Sequence, residues 1–167
     1  MDIGTHILTG IIITYFLSDF NSGMWMLIII FSLLPDLIGE TLYQIGRIAK
    51  GKGIKLIYDE EVTNSSTYLG NSLFLFPYNF LHSIFAIIFL ILLSIPNILI
   101  LAYTSHLILD IISHSKKSWG IMIFWPLSKT RFGPNSNWWE WKFLKNKNIL
   151  YFNLFTYSIT LVLILIY

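Results

Sequence analysis

The stretch Tyr103–Pro126, YTSHLILDIISHSKKSWGIMIFWP, sets His106, Asp110 and His114 four residues apart inside a run that is otherwise largely apolar. A four-residue step on a helix advances about 40° past a full turn, so imidazole, carboxylate and imidazole form a slightly slanting row on one face. Neighbours in such a row leave room for a metal ion between them. A charged Asp at a bilayer centre costs roughly 2.5–3.5 kcal/mol on insertion scales, so Asp110 requires a partner or a shallow, wetted position.

The apolar character extends over the whole chain. Of its 167 residues 55% are hydrophobic and 12% charged, and the mean hydropathy is +0.67. Such a composition excludes an ordinary soluble domain and points to an all-α, polytopic helical membrane protein. With no cysteine there is neither a disulfide framework nor a thiolate metal site, so His, Asp, Glu or backbone oxygen must hold any metal. The net charge of +2 is too small to suggest a nucleic-acid partner. The N-terminus, MDIGTHILTG, has no basic region and no small-residue cleavage site, so the first apolar segment reads as retained.

About five short spans can be drawn. The first covers about residues 3–20 and carries His6 near its start. The second, about 24–38, ends in Pro35-Asp36, a pair expected to stop or kink a helix. Leu42, Ile45, Ile48 and Ala49 then recur at near-helical spacing beside Arg47 and Lys50, which reads as an interfacial amphipathic helix opening a polar loop over 39–80. The third span, about 81–95, begins with His82-Ser83, and Pro96 separates it from the fourth, about 98–112. The preceding SLFLFPYNF fits either a kinked backward extension or a re-entrant piece. Residues 1–126 thus form a four-helix core carrying the His/Asp residues. Residues 127–167 add a basic, aromatic interfacial segment with Trp138, Trp139 and Trp141, and a C-terminal anchor over 149–167.

This topology puts every Lys and Arg on one side: four lie between residues 39 and 80 and seven between 115 and 148. The positive-inside rule makes that side cytoplasmic, giving a multi-pass cell-membrane protein. Several spans are nearer 15 residues than the roughly 20 a bilayer asks for, so the bundle must thin the membrane or admit polar helix ends.

The same topology, drawn from Lys and Arg alone, brings His6, Asp36, His82, His106, Asp110 and His114 to the cytoplasmic end. All four histidines of the chain are in this set. Four imidazoles and two carboxylates at one depth suffice for one ion with an open position, or for two ions sharing a carboxylate. Taken singly, each has a plainer reading: His6 as an interfacial residue, Asp36 as a helix stop, any one histidine as a hydrogen-bonded packing group. Ser83 and Ser113 read as hydrogen bonders to the helix backbone rather than nucleophiles. Asp59-Glu60-Glu61 reads as a solvated loop.

The motifs THxxxG at residues 5–10, LPD at 34–36, FLHS at 80–83, SHLILDIISH at 105–114 and GIMIFWP at 120–126 resemble the YdjM-like family of predicted membrane-bound metal-dependent hydrolases. The resemblance covers roughly residues 1–126. It implies that His6, Asp36, His82, His106 and Asp110 stand at the family's polar positions, with His114 following Ser113. Two departures stand out: Ile38 replaces a second Asp, and Pro77-Tyr78-Asn79 replaces His-Arg-Gly. Glu40, one turn beyond Asp36, could substitute.

The expectation is a hydrolase in which a divalent ion, zinc foremost and manganese or iron otherwise, activates water while Asp36 or Asp110 accepts its proton. A site at headgroup depth suits a membrane lipid or a lipid-linked ester or phosphoester, with Arg131 or a lysine steadying an anionic group. Two other classes fit the composition: a metal or proton carrier, and a membrane scaffold using polar residues for helix packing.

Overall fold

The computed structural model describes residues 3–17, 22–49, 51, 75–116 and 120–135, with single helical positions at 151, 155, 158, 159 and 162. The polar loop over 52–74, the tryptophan-rich segment and most of the C-terminal anchor lie outside the described residues, as does the Glu40 side chain. Five α-helices are described: α1, Ile3–Leu17; α2, Trp25–Ala49; α3, Leu75–Leu81; α4, Ile84–Leu92; and α5, Asn97–Ser113. A 3-10 turn at Ser22–Met24 leads into α2. The helical class expected from composition is therefore found, and the described residues contain no β-strand, only an isolated bridge between Ile121 and Phe132.

Two boundaries differ from the sequence reading. Helix α2 does not end at Pro35-Asp36 but continues through them, absorbing the segment expected to be a separate interfacial helix. Pro35 deprives the Phe31 carbonyl of its N–H partner, yet both halves of α2 are held by packing, because α2 lies against α1, α3 and α5. The expected third span is two helices. Helix α3 ends at Leu81, the chain breaks at His82-Ser83, and Ser83 in an extended conformation (φ −118°, ψ 161°) starts α4. Ser83 Oγ donates to the Phe80 carbonyl at 2.7 Å, and Tyr103 Oη donates to the Leu81 carbonyl. The leading N–H of α4, on Ile84, finds the Ile123 carbonyl at 2.9 Å, so the break leaves these backbone groups satisfied.

At 1.5 Å per residue, α1 and α5 are about 22 and 25 Å long against a hydrocarbon core of about 30 Å. One described helix is long and apolar enough to cross a membrane, over Trp25–Gly46.

Helices α1, α2 and α5 pack mutually, α3 covers α2, and α4 lies on α5. The backbones of α1 and α2 approach closely at Gly10, where a Cβ would stand 1.9 Å from Ser32 Oγ and 3.0 Å from Ser32 Cβ. Ile11, Ile28, Leu99 and Ala102 fill this junction, and a second cluster, Ala86, Leu90, Tyr103 and Leu107, joins α4 to α5. Among the described residues, eleven buried side chains are polar or charged and nine are apolar, while large apolar residues such as Phe16, Met26, Leu37, Leu92 and Ile108 face outward. Polar side chains thus make up a larger share of the buried set than in an ordinary soluble core.

After α5 the chain folds back as a compact strap. Phe132 and Ile121 exchange backbone hydrogen bonds, and Lys116 N–H donates to the Pro134 carbonyl at 3.0 Å. Gly133 has φ +147°, and a Cβ there would meet the His114 carbonyl oxygen at 2.1 Å, so this contact requires glycine.

Candidate metal centre

The structure brings all six sequence-selected side chains to one end of the bundle. His6 comes from the first turns of α1, Asp36 from α2 just past Pro35, His82 from the break before α4, and His106 and Asp110 from α5, which His114 caps. His82 Nε2 lies 3.3 Å from Asp36 Oδ1 and 3.5 Å from Asp110 Oδ2. His106 Nε2 lies 3.6 Å from Asp36 Oδ1 and 3.2 Å from Asp110 Oδ2. Asp36, His82, His106 and Asp110 each offer a donor atom, all within 4.8 Å of one another. On the other side of the carboxylates, Asp110 Oδ1 is 3.2 Å from His6 Nε2 and 3.0 Å from His114 Nε2, and Asp36 Oδ2 is 3.8 Å from His6 Nε2.

Backbone carbonyls fix the orientation of the two central imidazoles. His106 Nδ1 lies 2.7 Å from the Ser32 carbonyl oxygen, and His82 Nδ1 lies 2.9 Å from that of Tyr78. A carbonyl only accepts, so Nδ1 carries the proton in each ring and in the neutral imidazole Nε2 presents its lone pair to the carboxylates. Both Nε2 atoms are buried and make no hydrogen bond despite the carboxylate oxygens at 3.2–3.6 Å. Nitrogen and oxygen lone pairs therefore converge on a common space. An Nδ1–H held by a carbonyl with Nε2 free is the usual outer-shell arrangement of a metal-ligating histidine.

Four donors at about 2.0–2.1 Å from a tetrahedral ion sit roughly 3.3 Å apart; the four His–Asp separations here are 3.2–3.6 Å, and all four donors lie within 4.8 Å of one another. Two carboxylates among neutral imidazoles carry two negative charges, which favour the binding of cations. The donor set of nitrogen and carboxylate oxygen suits zinc, manganese or iron.

Ring stacking stiffens the cluster. His6 stacks on His106 with centroids 3.8 Å apart and planes 21° apart, and Tyr78 stacks on His82 at 4.2 Å. His6, His82, His106 and Asp110 are at most 1% exposed, whereas the Asp36 side chain keeps 32% of its surface, so the cluster opens to solvent beside Asp36. The strap carries Arg131, whose guanidinium pKa is lowered by burial against an opposing electrostatic interaction with Tyr78. Ser83 bonds the backbone as expected, whereas buried Ser113 Oγ makes no hydrogen bond.

Sequence reasoning missed Ser32 and Tyr78, which act through their carbonyls and so leave no residue-type signal. Tyr78 stands four residues before His82, the only hint that its carbonyl could meet that ring. Comparison of the chain with family models, curated proteins and solved structures gives no match.

Proposed function

We propose that this chain is a polytopic membrane protein whose His/Asp cluster holds a divalent metal ion and hydrolyses a lipid or lipid-linked ester or phosphoester at the cytoplasmic membrane surface. The observation that carries the reading is the convergence of the His82 and His106 Nε2 lone pairs with Asp36 and Asp110, both rings anchored through Nδ1. Held by His82, His106, Asp36 and Asp110, a divalent ion would lower the pKa of water towards neutrality and would polarise an ester or phosphoryl oxygen.

The residues divide the remaining work. His82, His106 and Asp110 are buried and rigidly held, which suits ligands. Asp36 is the ligand that solvent reaches, which suits it to accept a proton from water and pass it outward. Arg131, on the strap and coupled to Tyr78, is the cation suited to steady an anionic headgroup.

The membrane setting rests on the polar interior and apolar exterior, on the span-length helix in α2, and on the placement of all Lys and Arg on one side of a five-span topology. The resemblance of residues 1–126 to the YdjM-like family supports a metal site more than it supports a reaction. The test is elemental mass spectrometry on detergent-purified protein, comparing wild type with His106→Ala and Asp110→Ala, followed by phospholipid turnover with and without chelator. Bound metal in the wild type alone, with turnover abolished by chelation, is expected. Turnover that survives complete metal removal would refute the mechanism.

A further inference from the structure

The carboxylate of Asp110 faces two different pairs of imidazoles. Its Oδ2 lies 3.5 and 3.2 Å from Nε2 of His82 and His106, and its Oδ1 lies 3.2 and 3.0 Å from Nε2 of His6 and His114. Asp36 repeats the division, with Oδ1 towards His82 and His106 and Oδ2 3.8 Å from His6 Nε2. His82, His106, Asp36 and Asp110 gather around one ion position, leaving His6 and His114 on the far side of the shared carboxylate.

His6 has no role in that first set, yet it is wholly buried and neither ring nitrogen makes a hydrogen bond. A buried imidazole without hydrogen bonds is costly, and stacking on His106 holds this ring in place beside Asp110. His114 Nε2 reaches Asp110 Oδ1 from the C-cap of α5, where its side chain is 13% exposed.

We propose that the cluster holds two cations sharing the Asp110 carboxylate, the second bound by His6 Nε2, His114 Nε2 and Asp110 Oδ1, with Asp36 Oδ2 beside it. This rests on the reading of His82 and His106 as metal ligands. Two nitrogens and a carboxylate oxygen suit a divalent ion of borderline softness, the same class as the first site.

The full-length protein in detergent, stripped by chelation and titrated with Mn²⁺, tests this through bound metal and electron paramagnetic resonance. Wild type is expected to bind two equivalents with an exchange-coupled spectrum, and His6→Ala and His114→Ala are expected to keep one equivalent with an uncoupled six-line signal. If His6→Ala does not fold, His114→Ala, at a partly exposed cap, carries the test. One equivalent in wild type, unchanged in the two variants, would overturn the second site and leave the first standing. Two equivalents retained in both variants, or loss of both ions from folded His114→Ala, would also overturn it. A wild type that binds no Mn²⁺ would remove both sites together.

Discussion

Asp110 Oδ2 stands 3.2 Å from His106 Nε2, one turn further along α5. Both backbone positions belong to one helix, and the His106 ring is held at its far nitrogen by the Ser32 carbonyl of α2. The pair is therefore set before any ion arrives, and little side-chain entropy is lost on binding. Packing of α5 against α1 and α2 then brings the other ligands to it.

Asp110→Asn keeps the volume but removes one charge and a strong donor. Outer-shell losses already cost about 10–100-fold in metal affinity, so removal of this ligand is expected to cost more than that. Wild type held at 100 times its dissociation constant gains about 2.7 kcal/mol from bound metal. Thermal unfolding in detergent, with zinc and then with chelator, is expected to show that shift in wild type and none in Asp110→Asn. The metal-free variant is expected to be less stable than metal-free wild type, because the imidazoles of His6, His82, His106 and His114 lose the carboxylate that faces them.

Metal affinity is expected to fall on acidification. The ion requires unprotonated Nε2 on at least His82 and His106, so the metal-free protein binds more protons than the loaded one and affinity rises with pH. Release of more than one proton per ion makes the fall steeper than about tenfold per pH unit wherever both imidazoles are protonated in the metal-free protein. Competition titrations against a zinc indicator between pH 7.5 and 5.5 measure it. A flat profile would mean that the imidazoles do not ligate.

The row on α5 was legible because its i, i+4 spacing needs only the helix itself, and the apolar run around it makes that helix unambiguous. Charge placement alone put all six polar residues at one end, and the structure brings them together there. The course of α2 was not legible, since Pro35 is a local stop signal and what carries the helix past it is packing against three other helices. The break at His82-Ser83 has the opposite origin. No Gly or Pro marks it, and its supports come from Tyr103 and Ile123, distant in sequence. The outer shell was invisible because it consists of backbone carbonyls.

Gly10→Ala is expected to destabilise the bundle. The new methyl group would lie 1.9 Å from Ser32 Oγ and 3.0 Å from Ser32 Cβ, so the hydroxyl must rotate and α1 and α2 must part slightly. Overpacking of this kind costs about 1–3 kcal/mol. Ser32 Oγ makes no hydrogen bond, so Ser32→Ala alone is expected to be nearly neutral and to recover part of the loss in the double variant. Thermal unfolding of the four proteins closes the cycle. Additive effects would show that the two residues do not meet.

Tyr103→Phe removes the hydroxyl that satisfies the Leu81 carbonyl at the end of α3. Tyr103 is 1% exposed, so water does not readily replace it, and a loss of about 1–3 kcal/mol is expected. His82 follows Leu81 directly, so looser metal binding should accompany the loss, smaller than that caused by His82→Ala. A variant with wild-type stability would show that the break before α4 is held by its other contacts.

Pro35→Ala separates helix stability from site geometry. The restored N–H can reach the Phe31 carbonyl and close the turn, and an interior Pro-to-Ala exchange favours a helix by up to about 3 kcal/mol. Closing that turn draws the neighbouring Ser32 carbonyl towards the helix axis and away from His106 Nδ1, which it now meets at 2.7 Å. His106 would then lose the bond that fixes its tautomer and plane, and Asp36, the next residue on α2, would shift with the turn. The metal-free variant is therefore expected to be as stable as wild type or more so, while metal affinity falls about 10–100-fold, the usual cost of an outer-shell loss. Unfolding of the stripped protein and a competitive metal titration give the two quantities separately. Opposite signs would show that Pro35 serves the site at the expense of the helix; unchanged affinity would show that Pro35 has no part in holding His106.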